Sequence, residues 1–577
     1  MRHVQAKIWQ PAPCSSYAAE MLRDELSLLP ATARVLAARG FEDPESTRRF
    51  LHPSLEDLTD PCALPDMPQA VQALMEAVSG TENIVVYGDY DVDGLTSTAL
   101  LVSVLRRLGG RAYPFLPDRV DEGYGLSCDA LDRCIAELHP ALIVTVDCGT
   151  NSIEAVQCAR QAGVRVVVTD HHEPAGQCAP AAAIVNPKCG NNPKVHMLAG
   201  VGVTWNLCRA LIMAAREKQW PLAADIAPGE YLDLVALGTL CDIVPLKDDN
   251  RILAHAGLER IRNTECRGLQ ALMEVARIRE NISAYHLGFQ LGPRLNAAGR
   301  MGDAMYALEL LLTDDDDRAR SLARHLDQAN RRRQKVESDI LQAALDQIEF
   351  DEERDYGLVV ADTEWHAGVI GIVASRLCTR FRRPVVVIAL NEDGSGRGSC
   401  RSLDAFDMVR GLDACSSVLT RWGGHHMAAG LELAPGRLRE FRELFNETAR
   451  QALLDADLRP VQRIDTWVDM EHINDRLWNE MQQMAPFGAE HPSPVLALAR
   501  VEVMGKPRVV GNGHLRMTVR NERGRLSGIG FGMGDRELPA DGMLDIAFRL
   551  HRNYFRGVSS LQMQIQDFRP SDAAFRA

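Results

Sequence analysis

Residues 83–94 read NIVVYGDYDVDG, and this stretch decides the fold class. Its first five residues form a short apolar run, long enough for a strand and apolar enough to be covered on both faces. Three acids at alternate positions follow, Asp89, Asp91 and Asp93, then Gly94 and a helical pattern over residues 97–108. The theme repeats. Residues 141–146 (ALIVTV) stop at Asp147 before a helical 152–162, and residues 164–169 (VRVVVT) stop at Asp170, His171 and His172. A fourth apolar run covers 181–185. Buried strands alternating with helices predict an α/β domain built on a parallel sheet.

The placing of the acids predicts the chemistry. Sites in open parallel sheets form beyond the carboxyl ends of the strands. Here those ends bring at least five carboxylates and two imidazoles to one crevice. Such a cluster is costly unless a multivalent cation neutralises it. Oxygen donors with imidazole and no thiolate suit Mn²⁺ or Mg²⁺. Asp147 can bridge two ions, and ions about 3.5–4 Å apart are suited to hydrolysing a phosphodiester. A calcium loop also begins D-x-D-x-D-G, but the twelfth position counted from Asp89 is Leu100, not an acid. Two further acids, Asp233 and Asp242, lie in the apolar stretch 231–244. Nine residues is about 13 Å of helix, so one of them is expected at the metals, with Asp233, deeper in the run, preferred.

The chain has 577 residues, enough for two to four domains. Its net charge of −14 means that any nucleic-acid site is a local basic patch. The 14 cysteines form no C-x-x-C, which argues against a zinc ribbon and for reduced thiols. No apolar run approaches membrane-spanning length, and residues 1–10 lack a signal-peptide pattern. A cytoplasmic protein is expected. The organisation predicted is an N-terminal helical cap and linker (1–78), a catalytic domain (79–312), a connecting helix (313–350), a second α/β domain (351–458) and a small β-barrel (459–577). Residues 313–350 contain no Pro or Gly. They begin with acids, as a helix N-terminus favours, and reach Arg331, Arg332 and Arg333, expected on a solvated face.

Between Arg500 and Arg569, 12 basic residues against 7 acidic ones give +5, with Tyr554 and Phe555 beside Arg552 and Arg556. A basic barrel with aromatics suits sequence-tolerant binding of single strands. In GPRLNAAGR, Arg294, Asn296 and Arg300 are candidates for backbone contacts. In GGHHMAAG, glycines beside His425 and His426 would let the main chain approach a phosphate.

GDYDVDG, VDCG and DHH, in this order, resemble the DHH phosphoesterase superfamily. PDRVDEGYGL, LAGVGVTWNL, LDLVALGTLCDIVPL, GPRLNAAGRM, GRGSCRS, GGHHMAAG and APFGAEHPSPV extend the resemblance over nearly the whole chain, to the branch of single-strand-specific 5′→3′ DNA exonucleases. The resemblance implies a two-metal phosphoesterase domain, a connecting helix, a DHHA1-type domain and an OB-like domain. It implies Asp91, Asp93, Asp147 and His171 as metal ligands, with Asp89 and His172 on the metals or directly behind them, and Asp233 or Asp242 completing the set. Arg119, Ser399 and Arg401 would form a terminal-phosphate pocket, where Arg suits an always-charged bidentate donor. His172 is the candidate general acid or phosphate stabiliser. The implied partners are single-stranded DNA, a single-strand-binding protein and a helicase, with a monomeric enzyme. One departure stands out: many members carry His where this chain has Tyr87. The competing readings are a superfamily enzyme for short oligonucleotides or cyclic dinucleotides, and a non-catalytic DNA-binding scaffold.

Overall fold

The computed structural model describes the chain except residues 1–6, 118–124, 280–281, 302–303, 540–542, 556 and 572–577. Arg119 and Arg556 therefore lie outside the described residues. The chain forms two compact units, one of residues 60–242 and 257–458, the other of residues 1–59, 243–256 and 459–577.

The first unit holds a five-stranded, wholly parallel sheet: β1 (Asn83–Gly88), β2 (Arg111–Phe115), β3 (Leu142–Val146), β4 (Arg165–Thr169) and β5 (Ala183–Val185), in the order β2-β1-β3-β4-β5. The three acid-bearing strands are thus adjacent, and β3 lies between the other two. Strand β2 was not anticipated, because Pro114 interrupts it. It sits at the sheet edge, where a missing N–H is tolerated. Helix α1 (Val92–Arg107) begins five residues earlier than its apolar pattern suggests, because Asp91 caps it. Helices α2 (Gly200–Glu217) and α3 (Leu232–Cys241) pack against α1.

The connecting helix α4 (Asp316–Gln347) has 32 residues, about 48 Å, and the Asp315 side chain caps it by accepting from Arg318 N at 2.8 Å. Arg331 and Arg332 are exposed as expected. Arg333 is not: it is buried and donates to Glu337 (2.5 Å) and Asn330. Glu337 also takes Arg376 of helix α5 (Ile370–Phe381) at 2.6 Å, which fixes the connector to the second lobe.

That lobe is a mixed sheet of β6 (Leu358–Asp362), β7 (Val385–Leu390), β8 (Gly396–Arg401), β9 (Leu419–His425) and β10 (Ala428–Leu433), in the order β9-β10-β8-β7-β6. GGHHMAAG is the tip of the β9–β10 hairpin.

The second unit closes five strands into a barrel: β11 (Leu496–Val510), β12 (His514–Asn521), β13 (Gly524–Gly530), β14 (Met543–Phe555) and β15 (Val558–Pro570). The order is β11-β12-β13-β15-β14, and β14 pairs back onto β11. The N-terminal helices are no separate cap. Ala18, Leu22 and Leu36 share one core with Leu496, Val519 and Phe548, and strand Ile8–Pro11 pairs with Val461–Ile464. Residues 67–79 form a helix in the other unit. A truncation after Arg459 would therefore strip the N-terminal helices of their core rather than remove an independent module.

Candidate metal centre

Each carboxylate is held by a local feature of the chain. Asp91 caps α1, accepting from Asp93 N (2.9 Å) and Gly94 N (3.1 Å). A Cβ on Gly94 would stand 2.4 Å from the Asp89 carbonyl oxygen, so the acid loop can turn into α1 only through glycine. Asp93 accepts from Gly200 N (2.7 Å) and Val201 N (2.8 Å), which sets it on the positive end of α2. Asp147 follows β3 in the left-handed region, with φ +62°, a conformation that Asp tolerates better than most residues because its short polar side chain can bond locally. A Cβ on Gly200 would come within 2.7 Å of its Oδ1. Asp242 lies directly beyond the end of α3.

These side chains converge. His171 Nε2 lies 3.1 Å from Asp147 Oδ1, 3.6 Å from Asp242 Oδ2 and 3.8 Å from Asp93 Oδ2. Three overlapping donor groups result: Asp89, Asp91 and Asp147; Asp93, His171 and Asp242; Asp147, His171 and His172. Asp147 Oδ1, His171 Nε2 and Asp242 Oδ2 are all buried with no hydrogen-bond partner. Three orphaned polar atoms at one point need a ligand to explain them, and a divalent cation fits this donor set. The electrostatics agree. Burial, then the Asp93 and Asp91 charges, push the Asp147 carboxyl well up. Burial, then Asp93 and Asp91, raise Asp242 to about 9. Burial and Asp91 raise Asp93 to about 7. Burial, then the charge of His172, lowers His171 to about 3, so its ring is neutral as a ligand must be.

A pH dependence follows. In the folded, metal-free chain Asp93 and Asp242 hold protons up to about 7 and about 9, against an ordinary value of 3.8. Their contribution to stability is present below the ordinary carboxylate range and lost as pH rises through those folded values. His171 acts oppositely, but only below its ordinary value of 6.5. The melting temperature of the metal-free protein is therefore expected to fall between pH 7 and 9. Saturating Mn²⁺ should remove the fall, and calorimetry in buffers of different ionisation enthalpy should record proton release on binding.

One neighbour, Asp233, is placed elsewhere than expected, and the surroundings of Tyr87 and His172 define their places. Asp233, the preferred of the two helix acids, lies in the first turn of α3, where it accepts from Thr264 Oγ1 and Leu234 N (2.8 Å) and belongs to none of the donor groups. The helix stops at Cys241, so the other acid, Asp242, reaches the cluster. Tyr87 faces the sheet's core. It is fully buried, stacks on Phe115 at 5.3 Å and donates to the Gly125 carbonyl at 3.2 Å. His172 is held through Nδ1 by Asp170 Oδ1 at 2.7 Å, while Asp170 also accepts from Thr150 N. Burial alone would lower the His172 imidazole, but the Asp170 bond and the charges of Asp170, Asp89 and Asp93 raise it.

The phosphate-contact candidates divide. Arg294 points from its helix, Gly292–Met301, to the connector, donating to Asp327 (3.0 Å) and to the Gln290 carbonyl (2.7 Å). Asn296 and Arg300 are four residues apart and share another face of that helix. Gly299 abuts Tyr90 of the acid loop, and Arg300 donates to the Gly368 carbonyl at 3.2 Å, just ahead of α5. Gly371, in the first turn of α5, lies against Ser399 and Arg401. Arg401 donates to Ser399 Oγ (3.2 Å) and the Cys400 carbonyl (2.7 Å), and burial lowers its guanidinium pKa. His425 and His426 are exposed at the tip of the hairpin whose β10 pairs with β8.

Comparison with known proteins adds the family. Residues 83–239 match the DHH family, N-terminal domain, residues 355–451 the DHHA1 domain and residues 464–567 the RecJ OB domain. The single-stranded-DNA-specific exonuclease RecJ of Dickeya dadantii is 40% identical over 94% of this chain and 96% of its own length. The chain belongs to the RecJ family. The RecJ of Bacillus subtilis is 38% identical over 89% of this chain, which spans 64% of that protein. The crystal structure of RecJ in complex with Mn²⁺ from Thermus thermophilus superimposes with a TM-score of 0.84 at 30% identity, covering 99% of this chain and 81% of that one. The same RecJ was also solved with Mg²⁺.

The site shows two supports whose roles the sequence left unassigned. One is the α2 N-terminus that seats Asp93; the glycines of LAGVGV were its signal. The other is Asp170, the first letter of DHH, which holds His172 and Thr150.

Proposed function

We propose that this protein is a metal-dependent exonuclease that removes nucleotides from the 5′ end of single-stranded DNA, in the cytoplasm, during DNA recombination and repair. The observation that carries this reading is the pair of overlapping donor groups that share Asp147. Divalent ions held there would supply a Lewis acid for a phosphate oxygen and a water with a pKa lowered toward neutrality. The chain's own residues do the rest. Asp89, Asp91, Asp93, Asp147, His171 and Asp242 hold the ions. His172, positioned by Asp170, faces the phosphate as general acid or stabiliser. Ser399 and Arg401, beside the N-terminus of α5, take the terminal phosphate and set the 5′→3′ direction, with Asn296, Arg300, His425 and His426 along the backbone path. The enzyme works as a monomer with a single-strand-binding protein and a helicase. Digestion of strands labelled at either end tests this reading. Mn²⁺ should release label from 5′-labelled single strands as mononucleotide at once, and leave duplex intact. Release first from the 3′ end, or hydrolysis restricted to dinucleotides, would overturn it.

Arg401→Ala should cost more on 5′-phosphorylated than on 5′-hydroxyl strands. Hydrogen bonds to charged groups are worth about 1.5–3 kcal/mol, so the phosphate preference should shrink by about 10- to 100-fold. An equal loss on both ends would exclude the phosphate role.

The barrel's charge is less available than its count suggests. Arg520, Arg523, Arg536, Arg552 and Arg569 are paired with acids. Arg508 and Arg516 face one another across β11–β12, exposed, near exposed Val509. Exposed Phe531 packs on His514 of β12. Replacing both arginines by Ala should weaken binding of long strands and flatten the logarithmic salt slope by about 1.4, at about 0.7 per single-strand phosphate contact. Cleavage of short oligonucleotides should be spared. An unchanged slope would remove these residues from the DNA path.

A further inference from the structure

Two helices on one face of the catalytic sheet bring a pair of cysteines together. Cys128 opens helix Cys128–Leu138, directly after its cap Ser127, and Cys158 stands in helix Ile153–Gln161. Their Sγ atoms are 2.6 Å apart, well inside the separation of two non-bonded sulfurs, and both side chains are partly exposed. The helices are seated by one core, with Ala130, Leu131 and Cys134 from the first and Ala155, Val156 and Ala159 from the second. Packed secondary structure, rather than a mobile loop, therefore holds the pair in register. Neither sulfur belongs to a metal donor group.

We propose that Cys128 and Cys158 form a site of reversible oxidation, which a hydroperoxide converts to a disulfide. The step balances. One thiol takes an oxygen from the peroxide to become a sulfenic acid, releasing the first water (or alcohol). The second thiol displaces the hydroxyl as another water, and the two sulfurs have together given up two electrons and two protons. A bond length of about 2.05 Å requires the sulfurs to close by only about half an ångström. The bond between the two thiols, and then burial, push Cys128 up to about 11. The thiolate is the reacting form, so oxidation should be slow at neutral pH and quicken in alkali. The bridge would close a loop that contains β3 and Asp147, and so restrain the segment carrying the proposed bridging ligand.

The test uses the full-length, Mg²⁺-loaded protein. It is exposed to hydrogen peroxide, blocked with iodoacetamide, digested and mapped by mass spectrometry. The expected product is a Cys128–Cys158 peptide pair lighter by two hydrogens than the separate thiol peptides and reversed by dithiothreitol. The oxidised protein should melt higher by about 5 °C, and Cys158→Ser should lose both the linked pair and the rise. A second pair, Cys178 and Cys189, lies 3.7 Å apart and serves as the internal comparison. Linkage confined to that pair, sulfinic acid on Cys128 without linkage, or no oxidation at excess peroxide would overturn the proposal. The wild-type peptide map alone decides, whether or not the variant folds.

Discussion

Asp147→Asn is expected to abolish hydrolysis while leaving the metal-free protein at least as stable as before. Asn keeps the shape of the side chain and tolerates the left-handed backbone that this position adopts. What it removes is the charge of a carboxylate placed in two of the three donor groups. Turnover should fall by about 10³-fold or more, equivalent to about 4 kcal/mol of transition-state stabilisation. The metal-free variant should not melt lower, because burial and the charges of Asp93, Asp91, Asp242 and Asp89 already force Asp147 to take up a proton on folding, and Asn is neutral without that cost. The rise in melting temperature that Mn²⁺ gives the wild type by binding only the folded state should disappear. Near-normal turnover at saturating Mn²⁺ would rule out the bridging role proposed for Asp147.

Asp242→Asn and Asp233→Asn should separate completely. Both acids lie on or beside one apolar helix and both are largely buried, but only Asp242 has an orphaned oxygen among the metal donors. Asp242→Asn should lower activity by about 10²- to 10³-fold, or about 3–4 kcal/mol, and weaken Mn²⁺ binding. Asp233→Asn disturbs the bonds to Thr264 and Leu234. It should cost about 1–3 kcal/mol of stability, as a buried hydrogen bond lost does, with turnover per folded molecule unchanged. If Asp233→Asn is the one that loses Mn²⁺, the ligand assignment is reversed.

Sequence exposed the parts of this protein that obey local rules. The strands β1, β3 and β4 are uninterrupted apolar runs, and each ends at an acid, so the parallel sheet and the position of its crevice could be read directly. Strand β2 escaped because Pro114 and exposed positions break its pattern. The choice between Asp233 and Asp242 turned on where α3 stops, a one-turn question that an apolar run cannot answer. Tyr87 occupies the position of a possible ligand in sequence, yet strand alternation turns it into the core against Phe115. Arg333 lies within a basic cluster that looks solvated, and is buried because Glu337 and Asn330 supply its partners. The partnership of residues 1–59 with the C-terminal barrel rests on contacts more than 400 residues apart in sequence, which no local pattern encodes.

Two catalytic ions are proposed to share one cluster of carboxylates. Mn²⁺ binding to the full-length protein at pH 8, followed by isothermal calorimetry or by the loss of the free-ion electron-spin-resonance signal, tests that sharing most directly. Two Mn²⁺ per chain are predicted for the wild type, with proton release, and fewer than two for Asp147→Asn at the same free Mn²⁺. A single ion in the wild type, or two ions bound as tightly after Asp147→Asn, would contradict it.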